Sequence, residues 1–202
     1  MTESLAYISP VSFIEHLLSV NGSVPAKVSE LFIITGSSGS GKTTWCQQLC
    51  VTACARGVTV CGFISPAVYS EGHKVAIDLL DLVSGESRRL AVSPRVDSSH
   101  DNTRELNRPG LNWQFDESVI NWGNTRLAAL PAADLFIFDE LGPLEFTYGS
   151  GLMAAFPVLA ARKYAISCVV IRPALLQSAL FRWPWGQVVA CVPGLSLAEH
   201  PD

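Results

Sequence analysis

Charge is scarce in this chain of 202 residues: Asp, Glu, Lys and Arg make up 16% of it, against 49% hydrophobic residues. That balance argues against a disordered chain, which carries many charges and few apolar groups. The net charge is −4, and no basic block or basic–aromatic stripe is present. A nucleic-acid surface is therefore not expected. Long apolar runs are missing as well. No stretch reaches the roughly 18 residues that a membrane-crossing helix needs, so no membrane insertion is expected. Pro10, Glu15 and His16 interrupt the apolar start of the chain, and its first charge is Glu3. A secretory leader is not expected, and the cytoplasm is the expected location. Tight cysteine pairs are absent too. Cys46, Cys50 and Cys54 fall at helical spacing, while Cys61, Cys168 and Cys191 fall on apolar runs that read as strands. Zinc sites use closer pairs in turns, so all six read as small core residues of a reducing compartment. A metal or redox site on the helical stripe is the alternative. His16, His73, His100 and His200 fit no ligand spacing.

What is present is a phosphate loop. The apolar run Leu31-Phe-Ile-Ile34 leads through Thr35 into Gly36-Ser-Ser-Gly-Ser-Gly41-Lys42-Thr43. A polyphosphate is a dense set of anionic oxygens, and holding it takes many donors at once. Gly36, Gly39 and Gly41 let the backbone approach closely and turn its N–H groups inward. Lys42 supplies a point charge for the β- and γ-phosphates, and Thr43 a hydroxyl for Mg²⁺. The following run, Lys42 to Arg56, contains no Pro or Gly, and its helix aims the positive end of its dipole at the same anion. The expected nucleotide-binding set is Gly36, Ser37, Ser38, Gly39, Ser40, Gly41, Lys42, Thr43 and Thr44.

The remaining elements follow from periodicity and turn residues. Ser9-Pro10 starts a helix with an apolar face of Phe13, Ile14, Leu17 and Leu18, suited to packing or to docking a partner. Residues 1–30 form an extension, and residues 31–202 the nucleotide-binding domain. Val58–Ile64 predicts a buried strand. Segments around Val68–Tyr69, Val75–Leu80 and Leu90–Val92, separated by Glu71-Gly72 and Ser84-Gly85-Glu86, predict an antiparallel insertion. Residues 93–112 are polar and read as a long functional loop or a partly mobile segment, carrying Arg95, Arg104 and Arg108. A helix from Phe115-Asp116-Glu117 is expected to bend at Gly123, and one over Leu152–Arg162 to kink at Pro157. Strands at Asp134–Phe138, Ala165–Ile171 and Gln187–Val192 complete the set. Strands alternating with helices predict an α/β fold: a mainly parallel sheet flanked by helices, with an antiparallel hairpin insertion.

A second constellation ends the strand Leu135–Phe138 in Asp139-Glu140. In such folds ligands bind at the carboxyl ends of the strands. Asp139 is expected to hold Mg²⁺ with Thr43, and Glu140 to serve as base for an attacking water. Arg172 follows the strand Ala165–Ile171 and is a candidate for stabilising transferred charge, or else a surface arginine beside Pro173. The candidate catalytic residues are Lys42, Glu140 and Arg172; the candidate metal ligands are Thr43 and Asp139. Trp183 and Trp185 flank Pro184 and offer either a stacking platform for a base or a hydrophobic clamp.

The string Asp139-Glu-Leu-Gly-Pro-Leu-Glu145 resembles the Asp-Glu-Ile-Gly-x-Met-Glu signature of the nucleoside-triphosphatase family of the cancer-related type. Gly62-Phe63-Ile64, Gly72 to Asp78, Ser84-Gly85-Glu86 and Leu90-Ala91 are similar to that family's hairpin region. The resemblance runs from about residue 31 to 171. It implies a phosphate-loop fold and Mg²⁺-dependent hydrolysis of nucleoside triphosphates with loose base preference. It carries over Lys42, Thr43, Asp139 and Glu140, and matches Glu145 without assigning it a role. The chain departs in its N-terminal extension, in Ala76 and Ile77 where the family has Gly and Phe, and in Phe181 to Gly186. Hydrolysis to a nucleoside diphosphate and phosphate is the expected activity. A phosphotransferase with its acceptor under residues 93–112, or a nucleotide-gated module that captures a protein partner, are the alternatives.

Overall fold

The computed structural model describes residues 9–19, 29–93, 105–106 and 113–191. Five strands form a parallel half-sheet: β1 (Glu30–Thr35), β2 (Val60–Ile64), β8 (Leu135–Leu141), β9 (Ile166–Ile171) and β10 (Gln187–Ala190). Their order in space is β10-β1-β9-β8-β2, so β9 separates the strand of the phosphate loop from the strand of Asp139. Four further strands extend the sheet antiparallel beyond β2: β4 (His73–Asp81), β5 (Ser87–Val92), β7 (Gln114–Asp116) and β6 (Glu105–Leu106). β3 (Ala67–Ser70) pairs with β4 alone. The fold is α/β: a parallel half-sheet flanked by helices, with an antiparallel extension.

Nearly every residue of β1, β8 and β9 is buried, as expected for parallel strands covered on both faces. Ile33, Phe63, Phe138 and Val169 belong to one apolar cluster, with α3 (Glu117–Ala128), α5 (Ala155–Ala160) and α6 (Leu176–Arg182). Phe32, Ile34, Ile137 and Val170 belong to the other, with α1 (Pro10–Ser19) and α2 (Lys42–Ala55). In α1, Phe13 and Ile14 are buried, and Phe13 meets the rings of Phe32 and Trp45 edge to face.

The insertion reaches toward the site because of its register. Phe63 and Ile64, at the carboxyl end of β2, pair with Asp81 and Leu80 at the far end of β4. β4 is antiparallel, so its first half and β3 project past the carboxyl edge of the parallel strands. Glu71 and Gly72 close the β3–β4 hairpin with φ of 48° and 78°, the left-handed conformation that hairpin turns require.

Four local expectations are corrected. The helix expected from Phe115 starts later: residues 114–116 pair as β7, and Asp116 caps α3 by accepting from the Ser118 and Val119 amides. α3 runs unbroken through Gly123. A Cβ there would lie 2.6 Å from Leu152 Cδ2 and 2.9 Å from Leu79 Cδ2, so this glycine serves close packing, not a bend. The run from Leu152 to Arg162 holds only α5, and Pro157 lies in its first turn, where a missing N–H costs nothing. The cysteines are free and not all core: Cys46, Cys61, Cys168 and Cys191 are buried, Cys50 is half-buried and Cys54 exposed.

Candidate active site

The turn between β1 and α2 is built by its glycines. Gly39 and Gly41 sit at φ 77° and 85°, and Gly41 caps α2 with no side-chain bond to the first amides. Those amides remain available to an anion. Gly36 is needed for another reason: a Cβ there would lie 2.5 Å from the Cys191 carbonyl oxygen. The end of β10 therefore rests on the loop. Cys191 N donates to Thr35 O at 2.7 Å, and its thiol donates to Ser40 O at 3.1 Å. Lys42 Nζ donates to Gly36 O at 2.9 Å and Ser37 O at 2.6 Å, folding its charge over the loop. Ser37, Ser38, Gly39 and Thr44 are exposed, while Ser40 is buried.

Asp139 and Thr43 meet across the sheet edge and are joined by a side-chain hydrogen bond. Asp139 Oδ2 also accepts from Ser65 N at 3.1 Å, and Ser65 Oγ donates to Asp139 O at 3.0 Å. Burial pushes the Asp139 carboxyl up to about 6, and Glu140 adds to this; the Thr43 and Ser65 bonds and the Lys42 charge oppose it. Among the described residues, no group of three or more His, Cys, Asp or Glu side chains is arranged to hold a metal. Thr43 and Asp139 offer hard oxygens, the donors Mg²⁺ takes when phosphates and water complete its shell.

Glu140 is placed by a bulge. β8 and β9 pair in register through Phe138↔Val169 and resume at Leu141↔Ile171, so β8 carries one extra residue. Glu140 has φ 78°, a left-handed conformation that is rare away from glycine. In a regular strand neighbours point to opposite faces. The bulge lets Leu141 return to the face of Phe138, while Asp139 meets Thr43 of α2 and Glu140 is turned to Arg172. The Arg172 guanidinium forms an ion pair and hydrogen bond with Glu140 Oε1.

Lys74 falls inside the hairpin resemblance, which assigns it no role. It lies on the projecting half of β4, its Nζ 5.0 Å from the centre of the Trp113 ring. Desolvation lowers its pKa; Glu140 and Asp139 oppose this, and Arg172 adds to it. Those couplings put its charge within electrostatic range of the carboxylate pair. Only the antiparallel register brings it there, and no local motif marks it. Glu145, matched by resemblance alone, proves to be a latch. It lies in α4 (Pro143–Phe146), accepts from Gly142 N and Leu152 N at 2.9 Å each, and so fixes the turn after Glu140. Burial raises its carboxyl against those same bonds.

Trp183 is not a base platform. It is 1% exposed and packs on Phe146 and Phe156. Phe32 pairs with Gln187, so the tryptophan loop enters β10 at the edge opposite the phosphate loop. Trp185 lies there too, under the Arg162 guanidinium. Arg95, Arg104 and Arg108 lie outside the described residues.

Comparison with known proteins finds relatives that match most of this chain. A family model described as NTPase matches residues 31–178. The nucleoside-triphosphatase THEP1 of Caldivirga maquilingensis is 30% identical over 134 residues, covering 66% of this chain and 71% of its own. The protein of the same name from Thermococcus kodakarensis is 29% identical over 143 residues, 67% and 73% of the two chains. The solution structure of a human cancer-related nucleoside triphosphatase superposes with a TM-score of 0.58 at 20% identity, covering 80% of this chain and 88% of that one. At that identity the likeness is one of fold. The matched stretch contains the phosphate loop, the bulged carboxylate pair and the insertion that carries Lys74, and on that match the chain belongs to the NTPase family.

Proposed function

We propose that the protein hydrolyses the β–γ bond of nucleoside triphosphates, with Mg²⁺, to a nucleoside diphosphate and phosphate. The observation that carries this reading is the bulge in β8. It sets Asp139 against Thr43 and turns Glu140, the adjacent carboxylate, to the side of Arg172. The loop amides and Lys42 bind and orient the phosphate chain. Thr43 and Asp139 would hold Mg²⁺, which when bound neutralises charge on the phosphate oxygens. Glu140 accepts a proton from the attacking water, and its pairing with Arg172 fixes the carboxylate's direction. Arg172 and Lys74 stabilise charge on the transferred group. Loose base preference follows from a loop that contacts phosphates through backbone amides. The six free thiols suit a reducing compartment such as the cytoplasm.

The test is phosphate release from a panel of nucleoside triphosphates with and without Mg²⁺. Glu140→Gln should lower turnover on the order of 10²- to 10⁴-fold while keeping nucleotide affinity within a few-fold. Full phosphate release by that variant would remove Glu140 from the chemistry.

A further inference from the structure

Water needs no apolar chamber, yet one opens beside Glu140. A cavity of about 150 Å³ lies between the site and the insertion. That is the size of hole that accepts a benzene-sized molecule. Ile77, Leu90, Trp113, Phe115, Ile120 and Leu152 give it apolar and aromatic walls. Its polar groups are few. Ser65, Glu140 and Arg172 belong to the catalytic edge described above. Glu145 also lines it, but each of its carboxylate oxygens already accepts from a backbone amide. The chamber therefore joins apolar walls to the reactive carboxylate and guanidinium. Lys74, over the Trp113 wall, adds a cation beside Arg172.

We propose that this cavity is a phosphoryl-acceptor site for a small, uncharged, single-ring molecule carrying a hydroxyl, and that the protein is a phosphotransferase as well as a hydrolase. The inference rests on the reading of Glu140 as the base. The ring fills the chamber and displaces water from it, leaving its hydroxyl at Glu140. The hydroxyl oxygen forms a bond to the γ-phosphorus. The bond from that phosphorus to the β–γ bridging oxygen breaks, and its electron pair leaves with the nucleoside diphosphate. The hydroxyl proton passes to the Glu140 carboxylate. No oxidant or reductant is required. The product is a phosphate monoester, an anion that Arg172 and Lys74 are placed to hold.

The experiment uses the full chain with Mg²⁺ and ATP, and phosphorus NMR to separate organic from inorganic phosphate. The probes are benzyl alcohol, 3-pyridylmethanol and cyclohexylmethanol, with methanol as the hydroxyl without a ring and toluene as the ring without a hydroxyl. At least one ring alcohol should give a phosphate ester, with a ratio of ester to inorganic phosphate at least tenfold above that of methanol. Toluene should lower that ratio. Ile120→Trp, which fills the chamber, should return the ratio to the methanol value; Leu90→Phe is the second variant should the first not fold. The ratio is read within each variant, so a change in its overall rate does not disturb it. Phosphate release with no ring alcohol exceeding methanol would overturn the acceptor site and leave hydrolysis standing. Ester formation without release in plain buffer would uphold the acceptor site and overturn hydrolysis as the primary activity. Absence of both would overturn both readings.

Discussion

Asp139 shows what a single carboxylate costs at this site. Its pKa is raised to about 6, so the folded protein binds a proton that the unfolded chain, near 3.8, does not. In metal-free protein this group's stabilising contribution is complete below about pH 4 and is lost as pH rises through about 6. The difference corresponds to about 3 kcal/mol at neutral pH. Asp139→Asn should therefore raise metal-free stability at pH 7 and flatten its pH dependence between about 4 and 7. Denaturant titrations of both proteins across that range check this; equal slopes would contradict the buried-charge account. The same substitution should abolish any Mg²⁺-dependent rise in melting temperature. Gly36 to Thr43 and Asp139-Glu140 were legible as residues because backbone donors, a lysine and strand-end carboxylates have strict local requirements. The orientation of Glu140 was not legible, because a bulge is a mismatch between two strands and leaves no mark in one of them.

At the scale of elements, the β3–β4 hairpin is the piece that completes the site. Its strands were readable from alternation and from the Glu71-Gly72 turn, but its destination was not. Register with β2 decides where it projects, and Phe63↔Asp81 is a contact between distant parts of the chain. Lys74 is the consequence. Lys74→Ala should lower turnover on the order of tenfold, with an unchanged melting temperature and partial recovery in Lys74→Arg. Equal turnover in the alanine variant would reduce the hairpin to a wall. α3 teaches the opposite lesson. Composition predicted a bend at Gly123 because glycine weakens a helix by roughly 1 kcal/mol. Close approach to Leu79 and Leu152 explains the same residue without a bend, since packing across elements outweighs a local preference. For the tryptophan pair sequence order left a base platform and a hydrophobic clamp both open, and strand direction, which puts its loop at the other edge, decides for the clamp.

For the whole molecule, the parallel and antiparallel halves are tied where β2 meets β4, and Asp81 sits at that junction. It is fully buried; it accepts from the Val83 amide at 2.9 Å and Ser84 Oγ at 2.9 Å, and pairs with Arg126 of α3. Burial alone would raise its pKa, but the Val83, Arg126 and Ser84 bonds together lower it. Its stabilising contribution is thus present above the ordinary aspartate value, near 3.8, and is lost as pH falls through the lower folded value. Arg126→Ala leaves that carboxylate buried without its counter-charge. Because Arg126 is partly exposed, the expected loss is about 1–3 kcal/mol, below the range for a fully buried pair. Urea unfolding at pH 7 measures it, and the variant should lose less than the parent on acidification below about pH 4. The one-residue bulge in β8 has an evolutionary consequence. Deleting Glu140 alone would bring Phe138, Asp139 and Leu141 into continuous register with Val169, Val170 and Ile171. The phosphate loop, Thr43 and Asp139 would be spared. A descendant that grips nucleotide and never cuts it is therefore one lost codon away, with its fold relieved of a strained residue.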